Sequence, residues 1–382
     1  MKLKSKHSRI FALLFAIIFA LPFSFDWLTG LFIWTSPLIF LNAIVSRQAL
    51  SVFSAISIFV LILVSIRHRW YCRWLCPTGL LCDSASKLSR LKLLIWLPSL
   101  GIFFAAIILA ATIFGVPAFS IFDPIVAFHA FMSGFSEDTL VAALLSMAGL
   151  LLIVSMNFFS RHVWCQKICP LGGLQDGLTS LRKLILKKAK VSSEFKAGRR
   201  AAIGVLGGFG AAVLFKRSLV NSGSKIRPPA ALPDGAFQST CIRCGNCARA
   251  CPTHIIQSSF EADDPAGLLT PKISFAQGYC LPDCTACGSV CPSGAIKRFS
   301  KKDKKSLVMG IARIDVPHCL LSQHKECDRC QFYCDYDAVV IHQSDFELTA
   351  WPEVDEQRCV GCGACAVVCP ANVIRIAPAA QI

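Results

Sequence analysis

Sixteen cysteines in the last 142 residues fall into four quartets, and their spacing constrains the fold of this 382-residue chain more than any other feature. The first and last quartets read C-x2-C-x2-C-x3-C-P. The second has one extra residue in its first gap, and the third has a long first gap and Asp335 in place of the proline. The members are Cys241, Cys244, Cys247 and Cys251; Cys280, Cys284, Cys287 and Cys291; Cys319, Cys327, Cys330 and Cys334; and Cys359, Cys362, Cys365 and Cys369.

This spacing points to iron–sulfur clusters. Three thiolates at short intervals can reach three irons of one 4Fe–4S cubane, and the fourth, beside a proline, reaches the other cubane of a two-cluster ferredoxin. Zinc is disfavoured because its sites usually take two C-x2-C pairs separated by a longer spacer. Disulfides are disfavoured because neighbours in so tight a loop would have to pair without strain in every quartet. Sixteen ligands therefore predict four 4Fe–4S clusters.

The residues around the quartets predict an α+β, ferredoxin-like polyferredoxin domain over 241–382. Apolar runs at 255–256, 338–341 and 373–376 follow quartets and predict short strands. The preceding segment, 218–240, is rich in Ser, Gly and Pro and predicts a linker. A basic run of four lysines, Lys301, Lys302, Lys304 and Lys305, is expected to be a solvated loop.

The first half of the chain has a different composition and predicts an α-helical membrane domain over 1–197. Only 16% of the whole chain is charged, against roughly 25% in soluble domains. Apolar runs at 10–25, 49–66, 93–114 and 139–159 approach the roughly 20 residues that cross a bilayer. The first run, with its basic residues 1–9, could be a cleaved signal peptide, but the three later runs favour a retained anchor.

The distribution of basic residues predicts the orientation of these spans. The net charge is +16, and residues 1–215 hold 21 Lys/Arg against 7 Asp/Glu, which indicates membrane topology rather than nucleic-acid binding. Loops 67–92 and 160–200 carry six and ten basic residues, whereas loops 26–48 and 115–138 together carry only Arg47. We therefore expect the N-terminus and both basic loops on the cytoplasmic side of a bacterial inner membrane.

This half is built as a duplicated two-helix repeat. In each copy a span, a proline-led apolar segment and a second span precede a C-x3-C-P motif. Ser36 before Pro37 and Asp123 before Pro124 are helix caps followed by first-turn prolines, which predicts a short outer-side helix in each copy. Both copies start from the same membrane face, so an axis along the membrane normal should relate them.

The C-x3-C pairs are candidate metal ligands. They are Cys72 with Cys76 and Cys165 with Cys169, and two thiolates four residues apart share one helical face. Brought together, the pairs would form a four-thiolate site for an additional iron or iron–sulfur centre. The alternative is two buried, unligated pairs. Cys82 is expected to be a small buried apolar residue.

A fifth apolar segment decides on which side the quartets lie. Arg199 and Arg200 precede the glycine-rich run 201–215. This run is short for a span and partly resembles a twin-arginine signal, although Ala201 and Ala202 replace the usual bulky pair. An amphipathic or buried hairpin would leave the quartets in the cytoplasm. A span over 198–217, which we favour, would place them in the periplasm.

On these motifs the chain resembles a fusion of two families. The duplicated C-x3-C-P motif resembles NapH/MauN-type quinol dehydrogenase membrane subunits. The run 226–233 before Cys241-Ile242-Arg243-Cys244-Gly245 is similar to NapG/MauM-type four-cluster ferredoxins. The resemblance implies quinol oxidation in the membrane and electron transfer to a periplasmic c-type cytochrome or terminal reductase. Nucleic acid is not an expected partner.

Asp123 and His129 are the candidate catalytic residues, because both are expected near the outer face where quinol protons could be released. The alternatives are a capping role for Asp123 and a packing role for His129. About 30 Å of hydrocarbon would separate an inner thiolate site from outer clusters, and no C-x-x-C-H haem motif bridges it. An accessory reductase for metal-centre maturation or redox regulation and a passive cluster scaffold remain alternatives. The absence of a flavin or nucleotide motif disfavours an NADH-linked enzyme.

Overall fold

The structure is a computed structural model. It describes residues 2–18, 31–45, 54–88, 98–137, 140–186, 191–218, 225–261, 264, 266–276, 278–343 and 350–378. We call residues 2–218 the helical half and residues 225–378 the cysteine-rich half. The helices of the helical half are α1 (Lys2–Ile18), α2 (Pro37–Val45), α3 (Ser54–Ile66), α4 (Trp70–Trp74), α5 (Pro77–Leu88), α6 (Gly101–Ile113), α7 (Pro124–Ser133), α8 (Leu140–Phe159), α9 (Pro170–Ile185) and α10 (Val191–Ser218).

The helical half repeats one order of elements. Helices α2 and α7 begin at Pro37 and Pro124, which confirms the two predicted short helices. The Asp123 carboxylate accepts a hydrogen bond from the backbone N–H of Ile125 at 2.8 Å, so Asp123 caps α7. In each copy a longer helix, α3 or α8, leads to the C-x3-C loop, and the proline after the second cysteine starts α5 or α9.

Two of the described helices, Leu140–Phe159 and the Gly198–Arg217 part of α10, are long and apolar enough to cross a membrane. The first matches the predicted span 139–159. Helices α1, α3 and α6 overlap the other predicted spans, but α3 and α6 have only 13 residues each. Residues 19–25, 49–53 and 93–97 of those spans lie outside the described residues.

The fifth segment is one continuous helix, α10, which packs along α6. A Cβ at Gly208 would lie 2.5 Å from the carbonyl oxygen of Ile107, and one at Gly204 would lie 2.6 Å from that of Phe103. Only glycine, which has no Cβ, permits this approach of two helix backbones. Ten residues into α10, Arg200 donates to the backbone oxygen of Ser99 at 2.9 Å, just before α6 begins. The two helices therefore run side by side in the same direction.

The cysteine-rich half consists of short helices and two-stranded antiparallel sheets, which confirms the α+β prediction. Among the described residues β1 pairs with β2, β3 with β6 and β4 with β5. Strands β1, β4 and β6 coincide with the three predicted strands. The strands are β1 (Ile256–Ser258), β2 (Pro271–Ile273), β3 (Gly310–Ile314), β4 (Val339–Gln343), β5 (Ala350–Val354) and β6 (Ile374–Pro378). The helices are α11 (Asp234–Thr240), α12 (Asn246–Ala250), α13 (Ala286–Ser289), α14 (Lys301–Lys304), α15 (Arg329–Phe332) and α16 (Ala364–Val368).

Residues 225–240 differ from the predicted linker because they are packed into the cysteine-rich half. Phe237 on α11 is fully buried. The Arg227 guanidinium lies 4.7 Å from the centre of the Phe237 ring and donates to Asp234 at 2.7 Å. A buried aromatic side chain and a paired arginine hold this segment in place, and composition alone does not reveal them. Residues 219–224 lie outside the described residues.

The cysteine-rich half contacts the helical half at the end opposite the C-x3-C loops. Glu137, just before α8, accepts a hydrogen bond from the backbone N–H of Ser258 at 3.1 Å. Helix α8 then runs for 20 residues, about 30 Å, before the loop that carries Cys165. The Ser258 segment of the cysteine-rich half and the loop that carries Cys165 therefore lie at opposite ends of α8.

Candidate iron–sulfur sites

Each quartet has the same local structure, with its third cysteine on a short helix and its fourth after that helix ends. The third cysteines are Cys247 on α12, Cys287 on α13, Cys330 on α15 and Cys365 on α16. Helices α12 and α16 follow Gly245 and Gly363, which have φ values of 70° and 84°. Glycine adopts this left-handed conformation without strain, so the loop can turn its sulfurs inward.

The fourth cysteine of each quartet joins the site formed by its neighbour's first three. Three cavities are each lined by the first three cysteines of one quartet and the fourth cysteine of another, and the remaining four thiols form a similar group. Neighbouring quartets thus exchange their fourth cysteines. This exchange pairs the first quartet with the second and the third with the fourth, as the spacing predicts for two-cluster ferredoxins. The sets are Cys241, Cys244, Cys247 and Cys291; Cys280, Cys284, Cys287 and Cys251; Cys319, Cys327, Cys330 and Cys369; and Cys359, Cys362, Cys365 and Cys334.

The donor set fits 4Fe–4S clusters. Backbone N–H groups donate to quartet sulfurs, from Ala338 to Cys334 at 3.3 Å and from Ile296 to Cys291 at 3.4 Å. In the part of the chain that the structure describes, no three Cys, His, Asp or Glu side chains are close enough to hold one metal ion. A cubane, which spreads its four ligands over four irons, suits these sites better than zinc does.

Burial disfavours the charged form of the quartet thiols. Burial raises the pKa of Cys362 to about 11 and that of Cys365 to about 12. Such thiols are protonated at neutral pH when nothing binds them. Iron can ionise them because metal binding displaces the thiol proton.

The lysine run is not wholly solvated as expected. Lys301, Lys302 and Lys305 are exposed, but Lys304 at the end of α14 is buried beside Cys280. Sequence reasoning missed this contact, because a run of four lysines carries no signal that one of them turns inward.

In the helical half, the two C-x3-C pairs come together. Cys72, Cys76, Cys165 and Cys169 line one cavity of about 310 Å³, which we call the thiol cavity. The backbone N–H of Gly79 donates to Cys76 Sγ at 3.3 Å, and that of Gly172 donates to Cys169 Sγ at 3.5 Å. The two copies thus present their thiols in the same way, and four thiols around one cavity can hold a further cluster.

Residues that match between the copies also contact the thiols across the copies. Gln175 lies six residues after Cys169 and donates to Cys72 Sγ at 2.9 Å. Cys82 occupies the matching position, six residues after Cys76, and its side chain lies near that of Cys165. Cys82 is fully buried, as expected of a small apolar residue, but it also contacts a candidate ligand.

One ion pair and one histidine–aspartate contact at the rim of the thiol cavity join the copies. Arg69 donates to Asp176 at 2.8 Å, and His162 Nδ1 lies 3.3 Å from Asp83. Arg69 and His162 each precede the first cysteine of their own pair by three residues, and both have positive φ. Sequence reasoning missed these residues, although aligning the copies on their C-x3-C-P motifs places Arg69 opposite His162 and Asp83 opposite Asp176.

Asp123 lies beside the thiol cavity rather than at the outer end, where the sequence places it. Its fully buried carboxylate accepts a hydrogen bond from Ser36 Oγ at 2.7 Å. The carbonyl oxygen of Pro124 accepts from Thr78 Oγ1 at 3.0 Å, and both residues line the cavity. The physical reason is the direction of α7, which begins deep inside the helical half and ends at the cysteine-rich half.

His129 lies where α7 meets the first quartet. Arg249, between Cys247 and Cys251, donates to the His129 carbonyl oxygen at 2.9 Å and to Nδ1 at 3.0 Å. Since arginine has only donors, Nδ1 accepts and Nε2 carries the hydrogen. Among the described residues this buried Nε2 has no partner. Burial lowers the pKa of Arg249 to about 10, while Cys244 and Cys247 act to raise it.

Comparison with protein-family models identifies three kinds of iron–sulfur domain. Residues 240–295 match a 4Fe-4S dicluster domain, and residues 352–375 match a 4Fe-4S binding domain. A further 4Fe-4S binding domain matches residues 48–95 and 140–189, which contain the two C-x3-C pairs. The dicluster match covers the first two quartets, in agreement with the exchange of ligands between them.

Several curated ferredoxin-type proteins are similar to the chain. The methylamine utilization ferredoxin-type protein MauM of Methylobacillus flagellatus is 33% identical over 189 residues, which are 47% of this chain and 80% of MauM. The chain belongs to this family of ferredoxin-type proteins. NapG of Haemophilus influenzae is 33% identical over 206 residues, 51% of this chain and 70% of NapG. NapF of Escherichia coli is 32% identical over 149 residues, 39% of this chain and 82% of NapF.

The MauM/NapG-like relationship makes the chain an iron–sulfur electron-transfer protein. Each of these matches covers about half of the chain or less, so the relationship does not account for all of it. No solved structure matches the chain significantly.

Proposed function

We propose that the protein oxidises quinol in a bacterial inner membrane and passes the electrons through four 4Fe–4S clusters to a periplasmic c-type cytochrome or terminal reductase. In this proposal the chain is a fusion of a NapH/MauN-type membrane subunit with a NapG/MauM-type ferredoxin. The observation that carries the proposal is helix α7, which runs from the thiol cavity to the first quartet.

Helix α7 removes the distance problem that the sequence raises. Its ten residues span about 15 Å, only half of the roughly 30 Å hydrocarbon core. Pro124 at its start lines the thiol cavity, whereas His129 is bonded to Arg249 in the cysteine-rich half. Electron transfer between the thiol cavity and the first quartet therefore has to cover only part of the membrane, and it needs no haem.

The contacts within the cysteine-rich half support an ordered route. Arg249 lies in sequence between Cys247 and Cys251, which belong to the first and second sites. The backbone N–H of Cys280 donates to the carbonyl oxygen of Cys362 at 2.9 Å and so joins the second site to the fourth. The exchange of fourth cysteines then joins the fourth site to the third. We infer that electrons pass through the sites in the order first, second, fourth, third.

The exposed surface of the helices supports a multi-pass membrane location. Phe11 on α1, Leu140 on α8 and Leu206 on α10 are 73%, 74% and 72% exposed, which suits contact with lipid. With residues 1–197 and the span 198–217 in the membrane, the basic loops are cytoplasmic and residues 241–382 periplasmic. A reporter active only in the periplasm, fused after residue 382, should be active. Activity of a cytoplasm-only reporter at that position would contradict this placement.

Around the reaction, Asp123 and His129 take different roles. Quinol oxidation releases two electrons and two protons; the Asp123 carboxylate, beside the thiol cavity, would accept one proton, and the other would leave to water. His129 carries its hydrogen on Nε2, so it donates to a quinol or quinone oxygen. The positive charge of the nearby Arg249 guanidinium opposes protonation of the His129 ring, which therefore stays neutral. When bound, each cluster supplies one-electron chemistry, so the two electrons of quinol leave one at a time. Cys72, Cys76, Cys165 and Cys169 hold the additional iron–sulfur centre.

The proposed function is tested by mixing the anaerobic, oxidised protein with a quinol analogue and recording loss of the clusters' visible absorbance. We expect the wild-type protein to be reduced, and His129→Ala to be reduced more slowly with unchanged iron content. A protein that quinol does not reduce but dithionite does would contradict quinol oxidation. That result would favour an accessory reductase, or a passive scaffold if no protein acceptor reoxidises it.

A further inference from the structure

Lys304 is a buried cation in contact with a ligand of the second site. Its side chain is 2% exposed, while its neighbours Lys302 and Lys305 are exposed. The short helix α14 turns Lys304 inward, and a capping box between Ser300 and Asp303 fixes the start of that helix.

All the hydrogen bonds that the structure gives to the Lys304 ammonium go to the loop of the second quartet. Nζ lies 3.3 Å from Cys280 Sγ and 2.6 Å from the carbonyl oxygen of Cys284, and it also donates to the carbonyl oxygen of Leu281. Among the described residues no carboxylate pairs with it. The other bonds to quartet sulfurs described above come from neutral backbone N–H groups.

A buried ammonium without a carboxylate is costly unless another negative charge offsets it. A 4Fe–4S cluster with four thiolates supplies that charge, which is about −2 when the cluster is oxidised and about −3 after it accepts one electron. The positive charge stabilises the reduced cluster more than the oxidised one, and the effect is large where water is excluded.

We propose that Lys304 raises the reduction potential of the second cluster and makes it the electron store at the junction between the two cluster pairs. The inference rests on the proposed cluster at the second quartet. Lys304 acts here as a positioning residue, because it touches a ligand rather than the substrate. Its partner Cys280 also carries the backbone N–H that bonds to Cys362, so the stored electron lies next to the route to the fourth site.

The test is an anaerobic redox titration followed by electron paramagnetic resonance, with Lys304→Gln, Lys304→Met and the exposed control Lys305→Met. The paramagnetic signal of the second cluster is identified as the one that is lost in Cys284→Ser. We expect Lys304→Gln to lower the equilibrium constant for reduction of that cluster at least about tenfold. For a one-electron couple this is a shift of about 59 mV to lower potential. Iron content and the other signals should stay unchanged, and Lys305→Met should match the wild type.

Lys304→Met leaves buried carbonyl oxygens without a donor, so Lys304→Gln, which keeps donors, decides the outcome. An unchanged potential in Lys304→Gln would overturn the inference. Loss of iron in Lys304→Gln would also overturn it, because Lys304 would then serve assembly rather than potential. If the wild-type protein has no signal that Cys284→Ser removes, the proposed cluster itself is wrong, which is a distinct result.

Discussion

Ser36 and Asp123, the residues that precede the leading prolines of α2 and α7, are joined by a hydrogen bond of 2.7 Å. The two short helices therefore meet at their N-termini inside the helical half. The positive end of the α7 dipole faces the Asp123 carboxylate, and Ser36 donates a hydrogen bond to it, which together stabilise a negative charge that is otherwise costly to bury. The two copies are thus joined at one ionisable group.

Replacing Asp123 separates its capping role from its proposed proton role. Asn caps helices about as well as Asp, whereas Ala at this position costs about 1 kcal/mol. We expect Asp123→Asn to unfold at a denaturant concentration close to wild type and to oxidise quinol slowly, because an amide cannot take up the proton. Asp123→Ala should lose both stability and turnover. Full turnover in Asp123→Asn would show that Asp123 only caps α7.

The four thiols of the thiol cavity should act as one site. We expect Cys72→Ser, Cys165→Ser and the variant with all four cysteines replaced to lose similar amounts of iron, about four atoms per chain. Iron analysis and visible absorbance of anaerobically purified protein measure this loss. Cys82→Ser is the matched control and should keep the iron. Independent, additive losses would indicate two separate thiol pairs.

The exchange of fourth cysteines makes a specific spectroscopic prediction. Cys291→Ser should change the same paramagnetic signal as Cys241→Ser, although the two residues are 50 positions apart. Cys251→Ser, only ten residues from Cys241, should instead change the signal of the second cluster. If Cys241→Ser and Cys251→Ser alter one common signal and Cys291→Ser another, the ligand assignment is wrong.

The packing of α10 on α6 can be tested with two glycines of the same helix. At Gly208 a leucine would collide with the backbone of Ile107, and such overpacking costs about 1–3 kcal/mol or more. At Gly210 nothing lies within 4 Å of the added Cβ. Gly208→Leu should therefore lower the temperature at which the detergent-purified protein unfolds, and Gly210→Leu should not. Equal unfolding temperatures would argue against the close crossing.

Arg249 should control electron entry into the cysteine-rich half. Arg249→Met removes the hydrogen bonds to His129, and we expect quinol to reduce the quartet clusters about tenfold more slowly, equivalent to about 1.4 kcal/mol in the barrier. Arg358→Met is the control, because Arg358 is exposed and, among the described residues, its bonds go to Asp355 and Asp337 of its own half. Stopped-flow absorbance measures both. A slower reaction with dithionite as well would mean that Arg249→Met damages the clusters rather than the entry step.

Much of the local structure follows from the sequence because it depends on short-range geometry. A proline after Ser36 or Asp123 starts a helix whatever the tertiary packing around it. The spacing of the cysteines determines how a loop surrounds a cluster. The depth of Asp123 and the burial of Lys304 could not be predicted, since both depend on packing between segments far apart in sequence. The contact between His129 and Arg249 spans 120 positions and leaves no local pattern.

With the proposed ligand sets, the exchange of fourth cysteines would make each bound cluster a cross-link of the polypeptide. A cluster held by Cys241 and Cys291 closes a loop of about 50 residues, and closure of such a loop restricts the unfolded chain much as a disulfide does. A partner cluster held by Cys251 and Cys280 would close a second loop inside the first. Oxidative loss of either cluster would open its loop and loosen the chain around the other cluster. Damage at one site should therefore speed iron release from its neighbour.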